Sequence, residues 1–130
     1  MKFVGTAIIF NEKNEILIGQ RPEGKDLAGL WEFPGGKRED GESIEECIVR
    51  EIREELDVGL VVGEHLLDVK KEYQHGCFVL SVYKAKIIDV ENLKANVHQD
   101  LKWVKVEDLR KYEYPVADMD IIEYLEENFL

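Results

Sequence analysis

The sequence predicts an α/β fold in which a mixed β-sheet packs between helices. Short β-prone apolar runs precede a central amphipathic helix, two longer runs follow it, and a second amphipathic helix closes the chain. The chain has 130 residues and is 45% hydrophobic, so a single compact domain over residues 1–130 is expected.

The N-terminal part is predicted to contain three strands. Phe3–Phe10 and Glu15–Gln20 are apolar runs separated by a turn at Asn11–Asn14, so they are expected to form a hairpin. Arg21–Leu30 is predicted to be a loop because it contains a proline and two glycines. Trp31–Phe33 is expected to be a short strand that ends at the proline and glycines after it.

Ser43 begins the clearest helix of the sequence. A serine followed three residues later by Glu46 is a capping box, which marks a helix N-terminus. Apolar residues then recur at helical spacing and predict a buried stripe. The stripe consists of Ile44, Cys47, Ile48, Ile52 and Leu56.

The C-terminal part is predicted to contribute three more strands and a closing helix. The strands are expected at Val58–Val69, Cys77–Ile88 and Leu101–Val106, with a turn at Gln74–Gly76, a helical turn at Val106–Lys111 and the helix at Ala117–Asn128. The inner face of that helix should carry Ile121, Ile122, Leu125 and Phe129.

Composition narrows the class of function. The formal net charge of -11 argues against a nucleic-acid polymer as partner. An acidic protein that handles phosphates needs a bridging cation, although acidity that only keeps the domain soluble is equally compatible with this charge. The N-terminal run is predicted to be a strand and not a signal peptide, and no run is long enough to span a membrane. Cys47 and Cys77 lack metal-ligand spacing and are expected to be buried free thiols, so a cytoplasmic location is expected.

Three glutamates crowd one face of the central helix. Glu51, Glu54 and Glu55 stand at positions i, i+3 and i+4, and like charges at this spacing destabilise a helix. A hard divalent cation such as Mg²⁺ or Mn²⁺ would convert the repulsion into attraction. The alternative is a solvated acidic face with Arg50 and Arg53 as partners.

The segment before the helix favours the metal site. Gly35-Gly36 can bring backbone close to an ion, and a carbonyl in that turn could supply another oxygen ligand. Glu42 can pair with Arg50 two turns into the helix and orient the ligands.

These residues together resemble the Nudix family. Its sequence box requires Gly, Glu, Arg-Glu, an aliphatic residue, Glu-Glu and a final aliphatic residue at fixed spacing. The matching positions are Gly36, Glu42, Arg50, Glu51, Ile52, Glu54, Glu55 and Val58. Asp57 stands where the family usually has Gly, and Asp tolerates a left-handed turn better than most residues.

The resemblance extends to MutT-like flanking segments and covers most of the chain. These segments are Leu30–Gly36, Gln20–Pro22, His98-Gln99 before Trp103-Val104, and Tyr114–Asp118. The resemblance implies a Nudix α/β/α sandwich and a Mg²⁺-dependent hydrolase of a nucleoside diphosphate linked to another moiety. It also implies a metal shell formed by the Gly35 carbonyl, Glu51, Glu54 and Glu55, oriented by Arg50 and Glu42.

One departure concerns the late carboxylate that many MutT-like members carry. Val97 occupies that position here. His98 or Asp100 could substitute for it; otherwise Glu54, Glu55 or water activated by the metal would take the role of general base.

The MutT-like resemblance implies release of a nucleoside monophosphate and pyrophosphate from a triphosphate, with oxidised dGTP or CTP/dCTP as candidate substrates. Arg21 is a candidate phosphate or sugar contact, with a surface loop arginine as the alternative. Phe33, Tyr73 and Phe78 could line the base pocket, although core packing is the favoured role for Phe78. Asp118 could read the base edge, cap the last helix or do both. The alternatives are hydrolysis of another nucleoside diphosphate derivative and a nucleotide-binding module without catalysis.

Overall fold

The computed structural model describes all 130 residues, which form seven strands, two α-helices and two short 3-10 helices. The strands are β1 (Lys2–Ile9), β2 (Glu15–Gln20), β3 (Trp31–Glu32), β4 (Gly35–Lys37), β5 (Leu60–Tyr73), β6 (Gly76–Ile87) and β7 (Asp100–Lys105). The helices are α1 (Ile44–Leu56) and α2 (Val116–Phe129), and the 3-10 helices cover Val90–Asn92 and Val106–Lys111. None of the helices has the length and apolar character needed to cross a bilayer.

The strands form two sheets whose pairing differs from the expected N-terminal hairpin. One sheet has the order β4-β1-β6-β5, with β1 and β6 parallel, and the other has the antiparallel order β3-β2-β7. The hairpin prediction was wrong because β4 and β6 already occupy both edges of β1. Only the Phe10–Ile16 bridge joins the first two strands. The turn between them forms as predicted, since the Asn11 side chain accepts hydrogen bonds from the amides of Lys13 and Glu15.

Strand β1 contributes residues to two separate hydrophobic cores, one on each face of the strand. Ala7 and Ile9 pack toward α1 with Ile48, whereas Ile8 packs with Ile121 on the α2 side. Successive strand residues point to opposite faces, so a continuous apolar run fits a strand that is covered on both sides. This arrangement confirms the predicted α/β/α layering.

The helix α1 begins and ends as its sequence predicts. Ser43 Oγ accepts a hydrogen bond from the Glu46 amide, and the Glu46 carboxylate accepts one from the Ser43 amide. At the other end Asp57 adopts a left-handed conformation with φ of 59°, and its amide donates to the Arg53 carbonyl. The departure at Asp57 therefore leaves a normal C-terminal turn.

The remaining differences from the prediction concern the end of one strand, one additional strand and the burial of one cysteine. Strand β5 continues to Tyr73, four residues past the predicted end, because it pairs with β6 over their full length. Strand β4 was not predicted, and it forms because Gly35 and Gly36 lie alongside β1. Cys47 is a buried free thiol as predicted, whereas the free thiol Cys77 is only half-buried.

Candidate active site

A cleft of about 400 Å³ opens between the two sheets, beside the first half of β1. Its walls come from β1, the loop after β2, the β3–β4 segment, the end of α1 and the loop before β7. The lining residues are Val4, Thr6, Arg21, Pro22, Lys25, Glu32, Phe33, Gly35, Gly36, Lys37, Glu55, Val97 and His98. Residues far apart in sequence, including several predicted site residues, thus meet in this cleft.

A larger groove of about 590 Å³ lies at the opposite end of β1, lined by residues such as Phe10 and Trp103. We assign the site to the smaller cleft because the glycine turn and Glu55 line it and the Glu51 carboxylate rests against Gly36, whereas the larger groove contains no predicted site residue.

Arg50 connects the loop before α1 to the carboxylates of the helix. Its Nη2 and Nε atoms contact the two oxygens of Glu42 at 2.7 and 3.0 Å. Its Nη1 atom lies 3.0 Å from Glu51 Oε1 and 3.4 Å from Glu54 Oε2. The hydrogen bonds from Arg50 lower the pKa of Glu42 to about 2. The predicted pairing of Glu42 and Arg50 is therefore present, and the same guanidinium holds two of the proposed ligands.

Gly36 gives the Glu51 carboxylate its place. A Cβ atom at Gly36 would lie 2.3 Å from Glu51 Cδ and 2.4 Å from Oε2. Only a residue without a side chain lets the carboxylate rest against the β4 backbone. Gly35 has φ of 155°, and a Cβ there would lie 2.0 Å from the Gly5 carbonyl oxygen. Gly36 thus allows the Glu51 carboxylate to approach closely, and Gly35 allows strand β1 to approach closely.

Glu55 is the most buried carboxylate of the helix, with a side chain only 11% exposed. Its Oε1 atom has no hydrogen-bond partner. Burial, followed by the charges of Glu32 and Glu51, raises the pKa of Glu55 to about 9. A purely solvated acidic face does not describe this carboxylate, which lies within an anionic cluster and lacks a cationic partner.

The donor set suits a hard divalent cation. A cation beside Glu55 would satisfy the unpartnered oxygen and offset the repulsion from Glu51 and Glu32. No three such donors stand ready-made around one ion position, since Arg50 holds Glu51 and the Glu54 side chain is 59% exposed. Binding therefore requires rotation of glutamate side chains toward the cleft.

Glu32 and His98 form a partly buried pair that the sequence does not predict. His98 Nε2 lies 2.9 Å from Glu32 Oε2, and Arg21 Nη1 lies 2.9 Å from Glu32 Oε1. Burial alone would raise the pKa of Glu32, but hydrogen bonds from His98 and Arg21 outweigh it and lower that pKa. The available signal was a single acid between the aromatic residues Trp31 and Phe33, because strand alternation turns it to the opposite face.

The loop before β7 is hydrogen-bonded to the last turn of α1. Asn96 donates from its side chain to the Glu54 carbonyl at 3.1 Å and from its backbone amide to the Glu55 carbonyl at 2.9 Å. The Lys94 amide donates to the Leu56 carbonyl at 2.9 Å. The exposed Val97 follows this contact and lines the cleft, whereas Asp100 begins β7 outside the lining.

The five proposed substrate contacts lie in different places. Arg21 and Phe33 line the cleft, where Arg21 is held by Glu32 and Phe33 stacks on Tyr114 with ring centroids 5.9 Å apart. Tyr73 and Phe78 make an edge-to-face pair at the end of the β5–β6 hairpin and do not line the cleft.

Asp118 is buried in the first turn of α2 and also lies outside the cleft lining. The suggestion that it caps the helix was wrong, because Pro115 is the N-cap residue and no side chain caps this end. Burial, followed by the charge of Glu32, raises the pKa of Asp118 to about 7, while Arg21 opposes the shift.

The α/β/α sandwich and the glutamate-bearing helix beside a glycine turn together define a Nudix-type hydrolase. Residues 5–124 match the family model described as the NUDIX domain. The chain therefore belongs to the Nudix family and is a Nudix hydrolase of the MutT-like kind, in a family that generally uses a divalent metal.

Known relatives agree with this membership. The chain is 36% identical over 118 residues to the CTP pyrophosphohydrolase of Escherichia coli K12, covering 90% of this chain and 86% of that protein. It is 33% identical to a putative 8-oxo-dGTP diphosphatase 2 of Mycobacterium tuberculosis H37Rv, covering 79% and 73% of the two chains.

Solved structures share the fold closely. The E. coli ORF135 protein superposes with a TM-score of 0.84 at 37% identity, covering 98% of this chain and 89% of that chain. The MutT protein of Methanosarcina mazei Go1 gives a TM-score of 0.84 at 29% identity, covering 99% and 96%.

Proposed function

We propose that this Nudix hydrolase is a Mg²⁺-dependent nucleoside triphosphate pyrophosphohydrolase that releases a nucleoside monophosphate and pyrophosphate. The observation that carries the proposal is the buried Glu55 carboxylate, which has an unpartnered oxygen and lies beside Glu51 and a glycine turn. Relatives named CTP pyrophosphohydrolase and 8-oxo-dGTP diphosphatase support CTP, dCTP and oxidised dGTP as candidate substrates.

The proposed division of roles follows exposure. Glu51 and Glu55 have side chains 17% and 11% exposed, and with the Gly35 carbonyl they would hold the cation together with Glu54. When bound, Mg²⁺ or Mn²⁺ neutralises phosphate charge and makes water more acidic. Of these three glutamates Glu54 has the most exposed side chain, at 59%. We therefore assign Glu54 to accept the proton from the attacking water. Arg50 and Glu42 would keep the helix carboxylates in register with the loop.

The nucleotide would contact the side of the cleft that carries its positively charged and aromatic residues. Arg21 and Phe33 would form the wall that faces the nucleotide, with Lys25 and Lys37 supplying positive charge in the same cleft. Tyr73, Phe78 and Asp118 stay predictions as base contacts, and single substitutions assayed with CTP and 8-oxo-dGTP would test each one.

A panel of ribo- and deoxynucleoside triphosphates, with 8-oxo-dGTP included, tests the proposed reaction. With Mg²⁺ we expect pyrophosphate and a monophosphate in equal amounts from at least one of them. Release of two monophosphates from a nucleotide sugar or dinucleotide, with no triphosphate turnover, would instead favour a different diphosphate substrate. Tight nucleotide binding without turnover in any divalent cation would favour a binding module and reject the proposal.

Two glutamate variants test the assigned proton acceptor. Glu54→Gln should lower turnover about 100-fold or more, in the range typical of a general base. Glu45→Gln, in the first turn of the same helix and far along it from Glu54, should retain wild-type turnover. Unchanged turnover in Glu54→Gln would remove Glu54 from the mechanism.

A further inference from the structure

His98 is held in one orientation at the wall of the cleft. Its side chain is only 1% exposed. On one side the ring meets Gly19, where a Cβ atom would come within 2.6 Å of the imidazole. The neighbouring Gln99 ties the segment to β2, since its amide donates to Gln20 and its side chain donates to the carbonyl of Arg21. The imidazole is therefore fixed in position by close packing and by the hydrogen bonds of the neighbouring residue.

The Nε2 atom of His98 faces two carboxylates at different distances. It lies 2.9 Å from Glu32 Oε2 and 3.9 Å from Glu55 Oε1, so only the first contact is a hydrogen bond. Because a carboxylate can only accept, Nε2 carries the hydrogen. Since Arg21 binds the other oxygen of Glu32, both oxygens of this carboxylate are held, and Glu55 Oε1 has no partner.

We propose that His98 is a positioning residue that fixes the Glu32 carboxylate and thereby leaves the Glu55 carboxylate free for the cation. Without the Nε2–H group, Glu32 would lose one of its two donors beside a second carboxylate. It would then be free to turn toward the cation or to displace Glu55. This proposal rests on the proposed function, because it assumes that Glu55 binds a divalent cation.

Binding of Mn²⁺ to the nucleotide-free protein, measured by calorimetry, tests this role directly. His98→Met removes the donor and keeps a side chain of similar length, and it should weaken Mn²⁺ binding about 10- to 100-fold. His98→Gln keeps an N–H group near the Nε2 position and should stay within about threefold of wild type. At saturating Mg²⁺, kcat should fall in His98→Met while the KM for nucleotide changes little.

His65 offers a matched control. Its Nε2 atom also contacts a carboxylate, Asp68, at 2.7 Å, but this pair is partly exposed and lies outside the cleft lining. His65→Met should leave Mn²⁺ binding and turnover unchanged. A loss in His65→Met equal to that in His98→Met would overturn the proposal.

A double-mutant cycle with Glu32→Gln separates positioning from packing. If His98 acts by holding Glu32, the loss of Mn²⁺ affinity in His98→Met should largely disappear in a Glu32→Gln background, because the amide cannot compete for the cation, so the effects of the two substitutions should be strongly non-additive. Three results would each overturn the proposal: additive effects of the two substitutions, wild-type Mn²⁺ binding by His98→Met, or equal losses of Mn²⁺ affinity in His98→Met and His98→Gln. Should His98→Met not fold, weak Mn²⁺ binding by His98→Gln would do the same.

Metal binding and pyrophosphate release by the wild type distinguish failure of this proposal from failure of the proposed function. If the wild type binds Mn²⁺ but releases no pyrophosphate from any triphosphate, the substrate assignment fails, and the His98 variants still decide the positioning role. If the wild type binds no divalent cation with or without nucleotide, both fail.

Discussion

Arg50 holds Glu42 with two nitrogen atoms, at 2.7 and 3.0 Å, although the two residues are eight positions apart in sequence. This fork fixes the loop that follows the glycine turn to the middle of α1. The same guanidinium reaches Glu51 and Glu54, so the position of the loop and the positions of two proposed ligands depend on one side chain.

Glu42→Gln should reduce activity without unfolding the protein. The amide keeps the shape of the side chain but loses one of the two charge-assisted contacts to Arg50, so the guanidinium would shift among the remaining glutamates. We expect kcat/KM to fall about 10- to 100-fold, as is typical when a residue that orients metal ligands is lost. Steady-state kinetics with thermal unfolding as the control would check this, and an unchanged kcat/KM would refute the orienting role.

Gly36→Ala should weaken metal binding while leaving the stability of the fold nearly unchanged. The new Cβ would collide with the Glu51 carboxylate, which is the end of a flexible side chain and can move at small cost. We therefore expect a Tm close to that of wild type but weaker Mg²⁺ binding and lower turnover.

Gly59→Ala is the matched control for this variant. A Cβ atom at Gly59, three residues after the end of α1 and outside the cleft lining, would meet the flexible Arg53 and Ile88 side chains at 3.3 Å. Its turnover should be unchanged. If Gly36→Ala retained wild-type Mg²⁺ affinity, the assigned position of Glu51 in the metal site would be wrong.

Asn96→Ala should loosen the last turn of α1. The substitution removes the 3.1 Å hydrogen bond to the Glu54 carbonyl, next to the carboxylates that the chemistry requires. We expect faster amide hydrogen exchange in that turn and a turnover reduced severalfold. Asn92→Ala is the control, since Asn92 also uses its side chain but binds Asp89. Equal exchange in both variants would argue against a stabilising contact at Asn96.

Asp118→Asn should make the protein more stable at alkaline pH. The folded-state pKa of about 7 lies above the ordinary value of 3.8, so the native state binds the extra proton and stability falls as pH rises from about 4 to about 7. An uncharged Asn avoids that loss, and its gain in the free energy of unfolding at pH 8 should be on the order of 2 to 4 kcal/mol. Denaturant unfolding at pH 4.5 and pH 8 checks this, and an equal gain at both pH values would contradict the assigned burial of a charge.

The sequence was informative where structure depends on local spacing. Helix α1 follows from the capping box at Ser43 and the apolar stripe, and the family box then places Glu42 and Arg50 within reach of each other. The closing helix and the long β5–β6 hairpin follow from periodicity and a turn signal in the same way.

The misses concern contacts between residues that are distant in sequence. The N-terminal hairpin failed because the partners of β1 are the later strands β4 and β6, which local periodicity does not reveal. The pair Glu32–His98 joins residues 66 positions apart, and no local spacing in the sequence connects them. Tyr73 and Phe78 lie at the end of the long hairpin and outside the cleft lining, a position that residue type alone does not reveal, and their role as base contacts stays a prediction.

The most direct measurement is a crystal structure of the protein with Mg²⁺ and a non-hydrolysable triphosphate analogue. We predict a cation bound to carboxylate oxygens of Glu51, Glu54 and Glu55 at about 2.0 to 2.1 Å and shared with a phosphate oxygen of the analogue. A cation held by the phosphates alone, with the three glutamates turned away from it, would contradict the account.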